Sequence, residues 1–376
     1  MDRFKNEGFV LSAFESFATK PLPRALPSNT TGNKRKMLNN NFDNNFKAAS
    51  PPRSAVRVTR EGYVYRTTPL RTPPALNVPD FVPARSLQHH NDGSGGVGNA
   101  GGDGGSGSRS LRELLIFGTD SRTEITDPAA QEPYSAIGQL ISAYNATDDE
   151  AFLCSGTLVG TDAVLTAGHC VYGLDADTGE YAFMSAAIFN PSLIGDDAPF
   201  GTFPILYQTT FSEWTDSGAE DFNFDMAVLR LDVAPDTGRS AFDTIGYHMG
   251  VSKDACNMPA VKLSGYPGDK NSTMWASGTC SDINYSCGGG TAITNCDWVE
   301  GDSGSALFGD AGADTGTLAY GVVSHHTVPG GAGLTASTVS SGAWPDVYNS
   351  LTMMTADKYD DVYSWITSPL AELEQR

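Results

Sequence analysis

The 376-residue chain contains no run of about 18 apolar residues, so no stretch of it reads as a membrane-spanning helix. Basic residues are scarce beyond residue 110. Residues 111–376 hold 9 Lys+Arg against 36 Asp+Glu, a net of −27. A surface that acidic repels phosphates, which excludes nucleic acid as the expected partner. Residues 1–110 are the reverse, with 15 Lys+Arg, 8 Asp+Glu and a net of +7, and one continuous fold is not expected across the two parts. No Cys-x-x-Cys pair occurs, and the spacing of Cys280, Cys287 and Cys296 matches no common zinc pattern. The six cysteines, the other three being Cys154, Cys170 and Cys256, therefore read as disulfides of an oxidising compartment. No metal or organic cofactor is called for. A signal peptide is also missing: MDRFKNEGFVLSAFESF is broken by Glu7 and Glu15 and lacks a clean apolar centre. That sits against the cysteines, and the true start of the chain stays open. Secretion is still the expectation, and sequons at Asn29, Asn145, Asn271 and Asn284 are compatible with it.

What is present divides the chain. Residues 1–90 show no sustained period of two or 3.6, carry the Asn-rich NNNFDNNF, and scatter prolines from Pro21 to Pro83. Such a segment buries too little apolar surface to offset its chain entropy. Residues 92–108, DGSGGVGNAGGDGGSGS, read as a flexible linker. The expectation for 1–110 is thus a disordered tail or a propeptide. Beyond residue 133 short apolar or alternating runs recur between Gly, Asp, Asn and Pro, among them YSAIGQLISAY, CSGTLVG, MAVLRL and LAYGVVSHH. Many short strands with turn signals between them predict an all-β barrel or sandwich. One helix is predicted, TADKYDDVYSWITSPL, with Tyr359, Val362, Tyr363 and Ile366 at helical spacing to cover a barrel end.

Three segments carry chemistry. VEGDSGSALFG sets Ser303 between Gly301 and Gly304, ahead of an apolar strand. Glycines there let the backbone turn tightly, so that the amides of Gly301 and Ser303 point at one spot and can hold an oxyanion. A serine hydroxyl also needs a base. DAVLTAGHCVY supplies His169 at the end of a strand, beside Cys170, which can pair with Cys154 and tie two strands together. The base in turn needs a buried carboxylate to hold its tautomer. DFNFDMAVLRLD offers Asp225 directly before an apolar strand, whereas Asp221 and Asp232 read as solvated. Each motif alone has a plain structural reading: a glycine turn, a lone histidine, a strand-capping aspartate. A lipase or esterase is disfavoured, because no serine lies in G-x-S-x-G.

TAGHC, FDMAVLRL and GDSGS occur in the order His, Asp, Ser, and in this the chain resembles the chymotrypsin-like serine proteases. IFGTDSRTEITDPAAQEPYSAIGQL, LSGYPGDK and the SGT at 277–279 are similar to the glutamyl endopeptidase, or V8-like, branch. The resemblance covers roughly 115–370. It implies two six-stranded antiparallel β-barrels with a C-terminal helix. The first, 111–240, would carry His169 and Asp225, and the second, 241–376, Ser303. It implies a monomer acting on proteins or peptides, with no membrane or nucleic-acid partner. Among relatives that cut after Glu, a pocket histidine binds the carboxylate. His326, followed by Thr327, is the closer match to it and His325 the neighbour, on a strand with Ser324. Position 298 is Trp where the pattern has Thr, and Trp298 would fill or reshape the pocket. The rival is basic specificity through Asp297, six residues before Ser303. A blocked cleft would instead make the chain an inactive pseudoprotease. The last four cysteines allow three pairings, of which Cys280–Cys296 is preferred because both are expected near the pocket wall. The segment before the domain, the IFG start and Asp302 together suggest activation by cleavage near Leu115–Ile116, the new ammonium burying against Asp302 as in chymotrypsin-like zymogens; the alternative is that Asp302 only hydrogen-bonds locally.

Overall fold

The computed structural model describes the strand at 9–14, residues 54–60 and 63–67, residue 116, and 119–367 except 145–150, 176–177, 254, 281–282, 314 and 328–347. Leu115, Phe117 and Gly118, around the expected cleavage point, lie outside the described residues.

Among the described residues twenty strands follow one another. β1 (Phe9–Phe14), β2 (Ala55–Thr59), β3 (Tyr63–Thr67) and β4 (Thr123–Glu124) precede the first barrel. β5 (Ile137–Ala143), β6 (Phe152–Leu158), β7 (Ala163–Thr166), β8 (Tyr172–Asp175), β9 (Glu180–Phe183), β10 (Ala186–Pro191), β11 (Phe203–Phe211) and β12 (Ala227–Leu231) make up that half. The second half holds β13 (Gly250–Val251), β14 (Val261–Gly265), β15 (Trp275–Ala276), β16 (Ile283–Tyr285), β17 (Thr291–Thr294), β18 (Ala306–Asp310), β19 (Thr317–Thr327) and β20 (Tyr348–Met353).

The first barrel closes. β10, β5, β6, β7, β12 and β11 pair in sequence, and β11 returns to β10 through Ile188↔Pro204 and Phe189↔Phe203. Closure joins β11 to β10 at Phe203 and Pro204, leaves Tyr207–Phe211 of β11 to pair with β2, and encloses Leu140, Leu158, Leu165, Phe189, Phe203 and Leu229. The second half runs β16-β17-β20-β19-β18-β14-β15-β4 as an open half-barrel. It therefore differs from the closed six-stranded barrel expected. Its last two strands, β15 and β4, are two residues long, and no ladder joins β4 to β16 among the described residues.

The termini cross over. β4 lies ahead of the first barrel in sequence yet pairs with β15 of the second sheet, through Trp275↔Glu124 and Ala276↔Thr123. The helix Ala356–Thr367 packs back on the first barrel, where Val362, Trp365 and Ile366 join its core. Of the stripe expected, Val362 and Ile366 are buried and Tyr359 partly so, but Tyr363 is not. Lys358, Asp361, Val362, Trp365 and Ile366 point inward and Tyr363 outward. The inward lysine is accommodated because its Nζ donates to the carbonyls of Asn223 (2.7 Å) and Gly290 (3.3 Å). The final carbonyls of the helix are taken by Arg230 Nη1, which donates to Trp365 O and Ile366 O, a cation at the negative end of a helix.

Within the basic segment expected to be disordered, β1 and residues 54–60 and 63–67 are exceptions, and β1 pairs antiparallel with β3. β2 and β3 form a hairpin, and β2 lies antiparallel to β11 from Tyr207↔Thr59 to Phe211↔Ala55. Ala55, Val56, Val58, Val64 and Tyr65 are buried in the first barrel's core cluster. The opposite charges that argued for separate folds meet here: Arg66 pairs with Asp216 (2.9 Å) and Arg60 with Asp232 (3.7 Å).

Candidate active site

His169 sits in a single 3-10 turn, Gly168–Cys170, at the end of β7, and Asp225 follows another, Phe222–Phe224, at the start of β12. Because β7 and β12 are paired neighbours in the barrel, their ends deliver both residues to one place. Asp225 is completely buried and makes two separate contacts with His169: Oδ1 accepts from the His169 amide (2.7 Å) and Oδ2 faces Nδ1 (2.8 Å). Ser324 Oγ donates to the same Oδ2 at 2.6 Å. Burial pushes the Asp225 carboxyl up. The charge of His169, its side-chain hydrogen bond, the Ser324 hydroxyl and the His169 amide more than offset that, holding the group below the ordinary carboxylate range. It is a carboxylate that fixes the ring with Nδ1 as donor.

Ser303 is half-buried in the turn before β18. Its carbonyl accepts from the Ser155 amide of β6 (2.7 Å) and lies 3.7 Å from Cys170 Sγ, which brings it against the His169 turn. A hydrogen bond between Ser303 and His169 is not among those formed by the described residues, and such bonds commonly tighten only with substrate bound. Gly301 (φ 93) and Gly304 (φ 81) occupy the left-handed side of backbone space, which an L side chain resists. In this turn the amides of Asp302, Gly304 and Ser305 are bonded to Val299 O, Val323 O and Asp302 O. The amides of Gly301 and Ser303 find no acceptor among the described residues, as donors for an oxyanion must.

The pocket candidates separate. His326 stacks on Trp298 with centroids 3.8 Å apart. Its Nδ1 meets Asn349 Oδ1 at 2.8 Å, while Asn349 Nδ2 donates to Cys296 O at 2.7 Å. The amide's orientation makes His326 Nδ1 the donor and leaves Nε2 as a buried lone pair without a partner. Burial, only partly countered by Asn349, lowers its pKa to about 3. His325 lies against Phe222 (3.9 Å) with Nδ1 3.0 Å from Ser324 Oγ, and burial lowers its pKa to about 4. Both histidines are neutral near pH 7. Trp298 belongs to the core of the second half, with Leu263, Tyr320 and Met353. Asp297 is turned away to the domain's leading segment, where Oδ2 accepts from Ser121 N (2.9 Å) and Ser121 Oγ (2.6 Å). The cysteines pair as 154–170, 256–287 and 280–296, so that Cys280 and Cys296 do join two segments of the second half.

Sequence reasoning missed Arg122. It bonds Asp120 and reaches Asp269 through Nη1 (3.1 Å) and Nη2 (2.7 Å). With Ser121 and β4 it clamps residues 120–124 beside the nucleophile turn. Its bond to Asp120 is local, but its partner Asp269 is 147 residues away and only the fold brings it in. Nearby Asp302 is buried. Burial raises its pKa to about 7, with the Val299 amide and Arg122 only partly compensating. Since this lies above the ordinary 3.8, the protonated carboxyl favours the fold below about pH 4, and that contribution is lost as pH rises through about 7. Asp302→Asn is therefore expected to raise the thermal midpoint at pH 8 by about 5 °C and to leave it unchanged at pH 4. Parallel melts of both proteins across that range measure it, and equal midpoints at pH 8 would discount a strained carboxyl.

This architecture and site define a class, a trypsin-fold serine protease. Residues 154–316 match the trypsin-like peptidase domain family. A glutamyl endopeptidase of Bacillus licheniformis is 27% identical over 258 residues, covering 67% of this chain and 69% of that protein. An extracellular metalloprotease of Bacillus subtilis strain 168 is 31% identical over 169 residues, covering 45% of this chain. The chain spans only half of that protein's length (50%). Among solved structures, a Glu endopeptidase in complex with MPD aligns with TM-score 0.49 and 22% identity, over 67% of this chain and 99% of that one. The protease Anisep of Arthrobacter nicotinovorans aligns with TM-score 0.48 and 20% identity, over 66% and 100%. The chain thus carries a trypsin-like peptidase domain over residues 154–316 and is similar to the V8-like, glutamyl endopeptidase branch of the trypsin-fold serine proteases. The Bacillus subtilis protein's name mentions a metal. Here the one described cluster with donor atoms within 4.8 Å of each other is Cys154, His169 and Cys170. Its two sulfurs are joined as a disulfide and offer no thiolate, so these residues do not fit a bound metal.

Proposed function

We propose that the chain is a secreted serine endopeptidase working through His169, Asp225 and Ser303. The carrying observation is the double contact of fully buried Asp225 with His169, which leaves Nε2 of the ring as the base. His169 takes the Ser303 proton as Oγ attacks a peptide carbonyl. The Gly301 and Ser303 amides hold the oxyanion, and His169 then protonates the leaving amine. Water repeats the sequence on the acyl-enzyme. Arg122, Ser121 and β4 support the turn from below, and proximal cleavage near residue 116 would bring a new ammonium to the region of Asp302, making the full chain a zymogen.

For specificity we favour Glu or Asp at P1. Asp297, the residue a basic preference needs, already spends Oδ2 on Ser121. His326 Nε2, a buried lone pair in the resting tautomer, can meet a substrate carboxylate only by taking up a proton, for which that carboxylate would supply the counter-charge. Trp298 is packed in the core beneath it, which weighs against a blocked cleft. A peptide library assayed before and after trimming near residue 116 tests the reading. Cleavage after Glu or Asp, appearing on trimming, is expected. Cleavage after Arg or Lys would return specificity to Asp297, and equal rates before and after would remove the zymogen step.

A further inference from the structure

We infer that the hairpin β2–β3 is a permanent strand pair of the first barrel, so that cutting the chain between residues 67 and 116 leaves a two-chain protein and releases no N-terminal fragment. The inference concerns the processing proposed above, but it rests on packing and can fail or hold without it.

β11 is the reason. Its first residues, Phe203 and Pro204, close the barrel against β10, and from Tyr207 to Phe211 the same side of the strand is taken by β2. Remove β2 and half of a nine-residue barrel strand becomes an open edge. The ladder is extended at both ends by Arg60 N→Leu206 O (3.0 Å) and Ser212 N→Ser54 O (3.1 Å). Every residue of β2 is buried, and Arg57 enters with Nε donating to Thr209 Oγ1 (3.0 Å) and its guanidinium 4.6 Å from the Tyr207 ring centre. A segment meant for release would leave that surface and those strand groups exposed to water.

The hairpin also backs the site. Ala55 pairs with Phe211, whose ring packs against Phe224 at 5.4 Å, the residue before Asp225. A mature enzyme without the hairpin would lose that support.

The test makes the cut artificially, in the full chain, with a specific cleavage sequence placed inside residues 92–108. After complete cutting, native mass spectrometry and gel filtration should show one particle of the uncut mass, and a denaturing gel two fragments. An N-terminal fragment that separates from a folded remainder overturns the inference, and so does a particle of twice the mass, which would assign the hairpin to a second copy. Val56→Asp should abolish association but can simply fail to fold. Arg66→Glu is the gentler variant: exchange of a labelled N-terminal fragment should quicken about tenfold, and Asp216→Arg in the same chain should restore it. No change with Arg66→Glu would count against the docked geometry. None of these readouts uses peptidase activity, so failure of the enzyme reading and failure of this one are told apart.

Discussion

Replacing Asp225 with Asn should lower kcat by about four orders of magnitude while the protein stays folded. Asp225 supplies acceptors on both oxygens: Oδ1 to the His169 amide, Oδ2 to His169 Nδ1 and the Ser324 hydroxyl. Asparagine has one acceptor oxygen. If its NH2 faces the ring, His169 must accept at Nδ1, its proton moves to Nε2, and the ring no longer takes a proton from Ser303. If the oxygen faces the ring instead, the His169 amide loses its acceptor and the imidazolium loses its counter-charge. Either arrangement defeats the base, whereas removing a buried charge costs the fold little. Steady-state kinetics beside a denaturant melt read the two separately. A loss below tenfold in kcat would mean that Asp225 does not orient the base.

Gly304→Ala should be severely disruptive, costing about 3–5 kcal/mol and at least a hundredfold in kcat. At φ 81 any side chain is strained. A Cβ there would also stand 2.5 Å from the Ser155 carbonyl oxygen and 2.9 Å from Ala167 N, and against Thr166 Oγ1. Two of these are backbone atoms of β6 and of the turn leading to His169, which cannot swing aside. Relief comes only by moving the nucleophile turn away from the first barrel, and an ångström of displacement between Ser303 and His169 is enough to lose the reaction geometry. A urea midpoint within the error of wild type, with kcat retained, would show that the two halves do not meet as described.

What the sequence made legible was local. His169, Asp225 and Ser303 each close or open a strand in a short motif, and chain order supplied the rest. The C-terminal helix was legible in extent and, through Val362 and Ile366, in part of its face, but not at Lys358, which is buried by two carbonyls that sequence spacing does not display. Asp297 shows the limit most clearly. Its position relative to Ser303 suggested a pocket carboxylate, but its partner Ser121 is 176 residues away, and only the fold brings the two together. The hairpin was missed for a different reason. AVRVT and YVYRT alternate as strands should, around Glu61-Gly62, but they lie in a basic, proline-scattered stretch whose average hides them. They also have no stability of their own, since their apolar side chains are buried only in the core of the first barrel, against which β11 aligns them.

The central claim is that Ser303 is a nucleophile activated by the His169–Asp225 pair. Fluorophosphonate labelling of the chain trimmed near residue 116, read by intact mass and mapped by peptide, tests it most directly. The account predicts a single adduct on Ser303 and none on a Ser303→Ala variant with an unchanged denaturant midpoint. An adduct on any other residue, equal labelling of the alanine variant, or no labelling of a correctly folded chain would contradict it.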